Sequence, residues 1–481
     1  MLLVSTLIPV LGAALLFLLR PRSARLRGWL VMVCSLLTSA CVAWCLFTPG
    51  DHPVVLLRLS TLLTVSFRLD GLGRVFAGLV AFLWPLASLY GLEYMRHEGG
   101  ENHFFGFYLI SYAVTLGIAF SEDLMSLYVF YELLSLATLP LVMHGMKAKG
   151  VRAGRTYAYY CLGGAALGFM ALATIIYYGG ASNFTPGGIA GLAAAPQGVV
   201  LTMYVLGFFG FGVKAAVFPL HRWLPEAGVA PTPVTALLHA VAVVKAGVFA
   251  VARLTYYSFG AELLRGTWAQ TLCMAVALVS ILFGSGMAVR EQHMKRRLAY
   301  STMSNLSYVL FGVLLMTPQG LAAGLTHMVY HGLMKIALFC CVGAVMIYTG
   351  RSDIRQMRGL ARSMPFTAAM FLACGAALVG VPPLIGFGSK WALATAGVAS
   401  GSWLGIAGAA VLLVSAVLTA IYVLVPALSA YVLPLGGELP KENCDPGWMI
   451  KTAVCVVLVV VLSFVSQPLG RFLAQAAAGA M

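Results

Sequence analysis

The sequence predicts an all-α polytopic membrane protein with about fourteen transmembrane helices. Hydrophobic residues make up 61% of the chain, charged residues only 9%, and the mean hydropathy is +0.93. Apolar windows of about 20 residues, the length needed to cross a bilayer, recur along the chain. Lysines and arginines are concentrated between these windows, so the net charge of +15 indicates membrane topology rather than nucleic-acid binding.

The apolar windows define helices 1 to 14, numbered in chain order. We place them at residues 2–20, 28–48, 71–95, 104–120, 122–146, 154–178, 198–223, 232–257, 267–289, 298–316, 320–349, 365–395, 402–432 and 448–467. Residues 53–69 alternate weakly and are rich in strand-forming side chains, which predicts a short extramembrane hairpin. The Gly- and Ala-rich residues 180–197 are expected to form a loop with at most one short surface helix.

The distribution of positive charge predicts the topology. With the N-terminus outside, the odd-numbered loops face the cytoplasm and contain 20 of the 30 lysines and arginines. Six others lie on the outer side. This asymmetry follows the positive-inside rule, so we expect both termini on the outer side of the cytoplasmic membrane. The remaining four cations lie within helices and are Lys214, Lys245, Lys335 and Lys390.

A short internal repeat relates helices 7 and 12. Residues 210–214, Gly-Phe-Gly-Val-Lys, recur as Gly-Phe-Gly-Ser-Lys at residues 386–390, and prolines lie near both copies. Proline frees backbone groups, which is tolerated at membrane depth only beside a cavity or another helix, so both helices are predicted to be broken. The copies are five helices apart and therefore run in opposite directions. Inverted repeats with broken helices are typical of transporters.

Two buried lysines, Lys214 and Lys245, flank a proline-rich segment of helices 7 and 8. A lysine in mid-membrane costs roughly 2.5–3.5 kcal/mol on insertion scales, and such residues usually line ion pathways. We interpret both ammonium groups as facing inward, toward such a pathway. The alternative for Lys214 is that its flexible side chain carries the charge to the membrane surface.

Helix 11 carries His327, His331 and Lys335 at intervals of four residues. Four residues advance about 6 Å and turn about 400°, so the three side chains share one slowly drifting face. Groups at this spacing can be bridged by water, and histidine titrates near neutral pH. The pattern therefore predicts a proton relay. The alternatives are a zinc site, which histidines at this spacing can form, and a structural role for one histidine alone.

Two further titratable residues lie within the helices. Glu132 is the only acidic residue deep within an apolar span, and a lone buried carboxylate is expected to be protonated or to meet a cation. The alternative is a structural contact with a neighbouring helix. His239 lies six residues before Lys245, about 120° from its face in a regular helix, and is a secondary candidate. Asp70 is expected only to cap helix 3.

Motifs of soluble enzymes do not occur in the sequence. It contains no P-loop, no GxGxxG in a βαβ setting, no nucleophile elbow and no spacing typical of haem or iron–sulfur ligation. Its ten cysteines include no CxxC, and nine lie in apolar segments, which indicates packing residues. We therefore expect no catalytic site, no cofactor and no metal in this chain, with any redox chemistry carried by a partner.

Longer motifs resemble the antiporter-like subunits of respiratory complex I, Mrp-type cation/proton antiporters and membrane-bound hydrogenases. They run in family order and are LDGL at 69–72, YELL at 131–134, HRWLPEAGVAPTPVTALLHA at 221–240, KRRLAYSTMSNLSY at 295–308, THMVYHGLMKIALF at 326–339 and GVPPLIGFGSK at 380–390. The resemblance implies fourteen helices, with helices 4–8 and 9–13 as inverted repeats. The expected units are residues 1–102 with helices 1–3, the repeats 103–260 and 261–432, and residues 433–481 with helix 14.

The resemblance also implies a role for each buried titratable residue. Glu132 corresponds to a helix 5 glutamate that pairs with the helix 7 lysine, here Lys214. Lys245 corresponds to the connecting position of helix 8, and Lys390 to the terminal position of helix 12, which is lysine or glutamate in the family. The relay of helix 11 corresponds to His327, His331 and Lys335.

These observations predict a proton-translocating subunit of a larger energy-converting complex. Protons are expected to enter near Lys214 and Lys245, cross the relay of helix 11 and leave through Lys390. The expected partners are other membrane subunits and, with them, peripheral redox subunits, within the lipid bilayer and without nucleic acid. The alternatives are an Mrp-type Na⁺/H⁺ antiporter subunit, a stand-alone secondary transporter of a small solute, and a membrane-embedded zinc enzyme.

Overall fold

A computed structural model gives the fold of residues 1–48, 53–60, 63–432 and 446–481. This part of the chain is helical apart from one antiparallel hairpin, which confirms the predicted all-α class. A helix, or a set of consecutive helical segments, overlaps each of the fourteen predicted windows.

Ten of these windows contain one continuous helix. They are helix 1 (Leu2–Leu19), helix 2 (Ala24–Phe47), helix 3 (Gly71–Tyr94), helix 4 (Glu101–Phe120), helix 5 (Leu124–Val142), helix 6 (Ala148–Gly179), helix 9 (Trp268–Arg290), helix 10 (Met294–Leu314), helix 11 (Pro318–Thr349) and helix 14 (Pro446–Phe464).

The other four are interrupted or change their helical pitch. Helix 7 consists of Gln197–Gly212 and the short Trp223–Glu226. Helix 8 consists of Thr232–Ala236, a π-helical turn Leu237–Val241, Val243–Arg253 and a second π-helical turn Leu254–Phe259. Helix 12 consists of Pro365–Val379 and Ile385–Ala399, and helix 13 of Trp403–Thr419, the π-helical turn Ala420–Leu424 and Val425–Val432.

Short elements connect these helices. The remaining α-helices are Ala261–Leu264 and a C-terminal helix, Gln467–Ala478. The 3₁₀ turns are Met95–His97, His144–Met146, Ala190–Ala194, Ala227–Val229, Ile354–Met357 and Leu360–Arg362. The turn Ala190–Ala194 is the short helix expected in the loop before helix 7. Strands β1 (Val54–Arg58) and β2 (Thr64–Phe67) pair antiparallel, which confirms the predicted hairpin.

The length and composition of the helices identify a multi-pass membrane protein. Among the described residues, ten helices are long and apolar enough to cross a membrane, or up to eleven if the bent pair Ala453–Phe464 and Gln467–Ala478 forms one span. Helices 7 and 12 are divided into pieces shorter than a span, and helix 10 begins with the charged run Lys295–Arg297. That all fourteen helices cross the membrane stays a prediction.

Helices 7 and 12 are broken, as predicted. Helix 7 ends at Gly212 and continues as turns up to residue 222, whereas helix 12 is interrupted at residues 380–384. The repeated motif therefore spans the start of the break in helix 7, whereas it follows the break in helix 12. The inverted-repeat arrangement and the unit boundaries stay predictions, and residues 433–445 at the last boundary lie outside the described part of the chain.

An ion pair fixes helix 8 against helix 3. The Oδ1 atom of Asp70 accepts from the backbone nitrogen of Gly73 at 2.8 Å, which is the predicted cap. The same carboxylate pairs with Arg253, whose side chain is 1% exposed. Arg253 lies at the end of the α-helical segment Val243–Arg253 of helix 8. Since a buried charge requires a partner, this pair fixes the register between the two helices.

Candidate functional site: a line of buried titratable side chains

Lys214 lies just beyond the end of helix 7 and is fully buried. Its ammonium group donates to the backbone carbonyl of Tyr131 on helix 5 and lies 3.4 Å from the centroid of the Tyr131 ring. The Tyr131 hydroxyl in turn donates to the Phe211 carbonyl at 2.8 Å, so helices 5 and 7 hold each other at this point. The ammonium faces protein groups rather than the membrane surface, which excludes the alternative that Lys214 extends to the interface.

Glu132 is the next residue on helix 5, half-buried, with its Oε1 atom buried and without a hydrogen-bond partner. Within the described residues, Glu132 and Lys214 are not within ion-pair distance of one another, although their charges interact electrostatically. The expected pair is therefore separated in this conformation, with the Tyr131 carbonyl in place of the carboxylate.

Lys245 connects helix 8 to the relay of helix 11. Its Nζ atom is fully buried and lies 2.5 Å from Nδ1 of His331. The other ring nitrogen of His331, Nε2, is buried and has no partner. The rings of His331 and His327 are stacked with their centroids 6.2 Å apart, close to the spacing expected for residues four apart on one helix face.

His327 connects helix 11 to helices 10 and 12. Its Nε2 atom lies 3.2 Å from Oδ1 of Asn305, and its Nδ1 atom lies 3.0 Å from Oγ of Ser389. The amide nitrogen of Asn305 donates to the Ser301 carbonyl at 2.8 Å, which leaves its oxygen to face the histidine. Because an amide oxygen only accepts, His327 carries its proton on Nε2 when neutral, and Nδ1 then faces the serine hydroxyl.

Lys390 lies one residue beyond Ser389, next to the break in helix 12. Its Nζ atom donates to the carbonyls of Leu378 at 2.7 Å and Val379 at 3.0 Å, which the break leaves without helical partners. Gly380 adopts a φ of +93° at this break, and a Cβ there would lie 3.3 Å from the Lys390 side chain. The lysine also borders a cavity of about 560 Å³ between helices 12 and 13.

Lys335 and His239 are not hydrogen-bonded to Lys245, His331 or His327 in the described part of the chain, but both lie within electrostatic range of His331. Lys335 is buried, and its Nζ atom donates to the Leu298 carbonyl at 2.9 Å. Both ring nitrogens of His239 are buried without a partner, and the ring lies within electrostatic range of Lys335 and Lys295. Since His239 sits in the π-helical turn of helix 8, the regular-helix geometry assumed for it does not apply.

Sequence reasoning missed three polar residues of the site. Lys295 was assigned to a loop, but it lies in the first turn of helix 10, is buried and donates to the Ala230 carbonyl at 2.8 Å. Asn305 and Ser389 are single polar residues in apolar helices, and no spacing pattern distinguishes them. The signal available for Ser389 was its position beside Lys390 in the repeated motif.

One line of side chains crosses three helices and contains, in order, Lys245, His331, His327, Ser389 and Lys390. Hydrogen-bond distances join its first two members and also His327 to Ser389, and the two histidine rings are stacked. Lys390 belongs to the line as the residue next to Ser389 in the chain. Lys214 has no hydrogen bond to this line among the described residues. Helices 7 and 8 nevertheless pack closely beside it, since a Cβ at Gly247 would lie 2.4 Å from the Ala215 backbone nitrogen. Among the described residues, no group of three or more His, Cys, Asp or Glu side chains is arranged to hold a metal ion.

The chain matches a protein-family model described as NADH:quinone oxidoreductase/Mrp antiporter, TM, over residues 121–419. It is 33% identical over 392 residues to NADH-quinone oxidoreductase subunit N of Desulforudis audaxviator (strain MP104C). This match covers 80% of this chain and 76% of the relative. It is 32% identical over 345 residues to hydrogenase-4 component B of Escherichia coli (strain K12), which covers 68% of this chain and 50% of the relative. The chain thus spans only half the length of this second relative.

Among solved structures, the fold is similar to a chain of the membrane-bound sulfane sulfur reductase, an archaeal respiratory membrane complex. The TM-score is 0.88, the sequence identity is 23%, and the match covers 100% of this chain and 97% of the other. At this identity the similarity shows the fold alone.

Proposed function

Because the chain belongs to the NADH:quinone oxidoreductase/Mrp antiporter family of membrane subunits, we propose that it translocates protons within a larger energy-converting complex. The observation that supports this most is the line from Lys245 to Lys390 across helices 8, 11 and 12. Buried titratable groups within membrane helices are expensive and mark ion pathways. A pocket for a solute would not need such a line.

Along this line, Lys245 passes its proton from Nζ to Nδ1 of His331, and the free Nε2 of that ring releases one toward His327. The 6.2 Å between the two ring centroids leaves this step to a bridging water. That water gives a proton to Nδ1 of neutral His327. The imidazolium then passes the proton from Nδ1 to the Ser389 oxygen, while the hydroxyl proton of Ser389 moves on through a second water to neutral Lys390. Lys390 releases the proton beside the break in helix 12. Lys335 and His239, within electrostatic range of His331, and Lys295, within electrostatic range of His239, form a branch of this line.

Lys214 and Glu132 regulate proton transfer along this line. A nearby carboxylate favours the charged form of a buried lysine, and burial opposes it. The Lys214 ammonium is bound to the Tyr131 carbonyl and does not contact the Glu132 carboxylate. A change that brought Lys214 and Glu132 together would favour protonation of the lysine. A conformational change driven by a partner subunit would alter this distance and couple the partner's reaction to the proton.

Glu132→Gln is expected to lower coupled proton flux roughly tenfold, the size of a coupling between two charged sites. Glutamine keeps the shape of the side chain but removes its charge, so assembly of the complex should persist. The measurement is proton flux in vesicles that contain the intact complex. Glu262→Gln, on an exposed acid paired with Arg265, is the matched control and should leave the flux unchanged. Normal flux in the Glu132 variant, at equal protein level, would remove this residue from the pathway.

The partners distinguish the complexes to which this subunit could belong. We propose that other membrane subunits surround this chain. In an oxidoreductase or hydrogenase, peripheral redox subunits would join them; in an Mrp-type antiporter, the partners would be small membrane proteins only. Co-purification in mild detergent, followed by identification of the bound proteins, separates these cases. Ion exchange by the purified chain alone would favour a stand-alone transporter instead.

We further propose that the chain lies in the cytoplasmic membrane with both termini outside, supported by the excess of cations on one side. Lys149→Cys and Thr185→Cys, both on exposed residues, should then react with a membrane-impermeant maleimide from opposite sides. The experiment starts from a Cys444→Ser background, since Cys444, outside the described residues, lies in a polar segment. Reaction of both positions from the same side would overturn the topology of helices 5–7 and the inverted repeat.

A further inference from the structure

The ends of helices 1, 2 and 4 surround a cavity whose lining includes no residue of the titratable line. Its volume is about 530 Å³, and Arg20, Arg22 and Arg27 line it. An adjacent cavity of about 300 Å³ lies between helices 2 and 3 and includes Arg25 and Arg96. All five arginines are on the side that the charge distribution assigns to the cytoplasm.

The positive charge of these cavities is largely unbalanced. The single acidic residue that lines them is Glu101, and it pairs with the buried Arg27. Arg20, Arg22 and Arg25 are exposed and have no ion-pair partner among the described residues. Guanidinium groups bind phosphate oxygens with two parallel hydrogen bonds, so the charge and shape of this surface fit a phosphate group.

The second cavity continues from these charges into the apolar part of the membrane. Trp29 lies about 7.5 Å and Met32 about 12 Å beyond the start of helix 2, at 1.5 Å per residue. Together with Leu92 of helix 3 they line the cavity that also contains Arg25 and Arg96. Trp29 is 71% exposed, as is common for tryptophan at the level of lipid headgroups. A ligand that fills both regions has an anionic head and an apolar tail.

We propose that the ends of helices 1–4 bind an anionic phospholipid of the cytoplasmic leaflet. Its phosphate contacts Arg22 and Arg25, and an acyl chain lies along Trp29 and Met32. Basic pockets between membrane helices on the cytoplasmic side bind anionic lipid headgroups, and each arginine near the surface adds to the affinity. Free phosphate would use the guanidinium groups but leave the apolar cavity empty.

The test is native mass spectrometry of the delipidated full-length protein in mild detergent, titrated with phosphatidylglycerol or phosphatidylcholine. We expect phosphatidylglycerol to bind in preference, and Arg22→Gln/Arg25→Gln to weaken it about ten- to thirtyfold. Arg152→Gln/Arg155→Gln removes the same charge from exposed positions of helix 6 on the same side and should leave binding unchanged. Equal weakening by both double variants would mean surface attraction without a site and would overturn the proposal.

Two further measurements separate the lipid from a simple anion and from a folding defect. Trp29→Ala keeps every charge and should still weaken phosphatidylglycerol binding, because the acyl chain loses its contact. Inorganic phosphate at millimolar concentration should not displace the lipid. Displacement by phosphate, or full binding by the Trp29 variant, would overturn the assignment to a phospholipid. Proton flux is not the measured quantity, so the outcome is independent of the proposed translocation.

Discussion

Lys245→Met should reduce proton flux roughly 100-fold, the usual effect of removing a group that transfers a proton. Methionine occupies a similar volume and fits the apolar surroundings, but it leaves Nδ1 of His331 without its partner at 2.5 Å. No other titratable side chain contacts this atom in the described part of the chain, so the line loses its first donor. The measurement is proton flux, driven by the reaction of the partner subunits, in vesicles containing the intact complex at matched protein level.

The control for this variant is Lys149→Met, which removes an exposed lysine from the start of helix 6 and should leave flux unchanged. Lys245 has no acidic partner among the described residues, so its removal relieves the cost of a buried charge, which offsets the lost hydrogen bond to His331; the variant should therefore still assemble. Flux near the parental rate in Lys245→Met would show that protons reach helix 11 by another route, and the line proposed here would then be wrong.

Lys390→Arg should also reduce flux roughly 100-fold, more than Lys390→Glu does. Arginine can donate to the carbonyls of Leu378 and Val379 as the lysine does, and so keeps the broken helix 12 satisfied. It does not release its proton in a protein. Glutamate reverses the charge but still titrates, so it can take up and release a proton.

The comparison of these two variants tests a structural explanation of Lys390 directly. If the lysine only neutralises the carbonyls at the end of residues 365–379, arginine should replace it and glutamate should not. Flux and thermal stability in detergent are therefore measured together for both variants. Near-normal flux with arginine and loss of flux with glutamate would establish the structural role and remove Lys390 from the exit.

The positions of the helices could be predicted because each needs an apolar stretch long enough to cross the hydrocarbon layer. Their ends could not be predicted as well. Helix 6 begins at Ala148 and helix 10 at Met294, earlier than the predicted 154 and 298, because basic residues continue the helix beyond its apolar stretch. Helical hydrogen bonding continues past the last apolar residue, so a hydropathy window underestimates the length of such helices. This is why Lys295 was placed in a loop.

The candidate site was predicted in part. The spacing on helix 11 brings His327 and His331 together, as expected from the helical repeat alone. The partner of each ring comes from another helix and could not be derived from spacing: Lys245, Asn305 and Ser389 depend on how helices 8, 10 and 12 pack. The pairing of Glu132 with Lys214, which the resemblance implied, depends on a conformation, and in this one a backbone carbonyl takes the place of the carboxylate.

The π-helical turn Leu237–Val241 divides helix 8 into two segments, and the rotation of one about the helix axis is set independently of the other. A π-turn contains one residue more than an α-turn, so the segment before it is rotated by about 100° relative to a continuous α-helix. The additional residue sets the orientation of His239. Lys245 lies after the turn, and its orientation does not depend on that residue. A deletion of one residue within the turn would therefore uncouple the two: it would turn His239 away from Lys335 and Lys295 yet leave the contact between Lys245 and His331 in place. Chain length, as well as side-chain identity, is thus a determinant of this pathway.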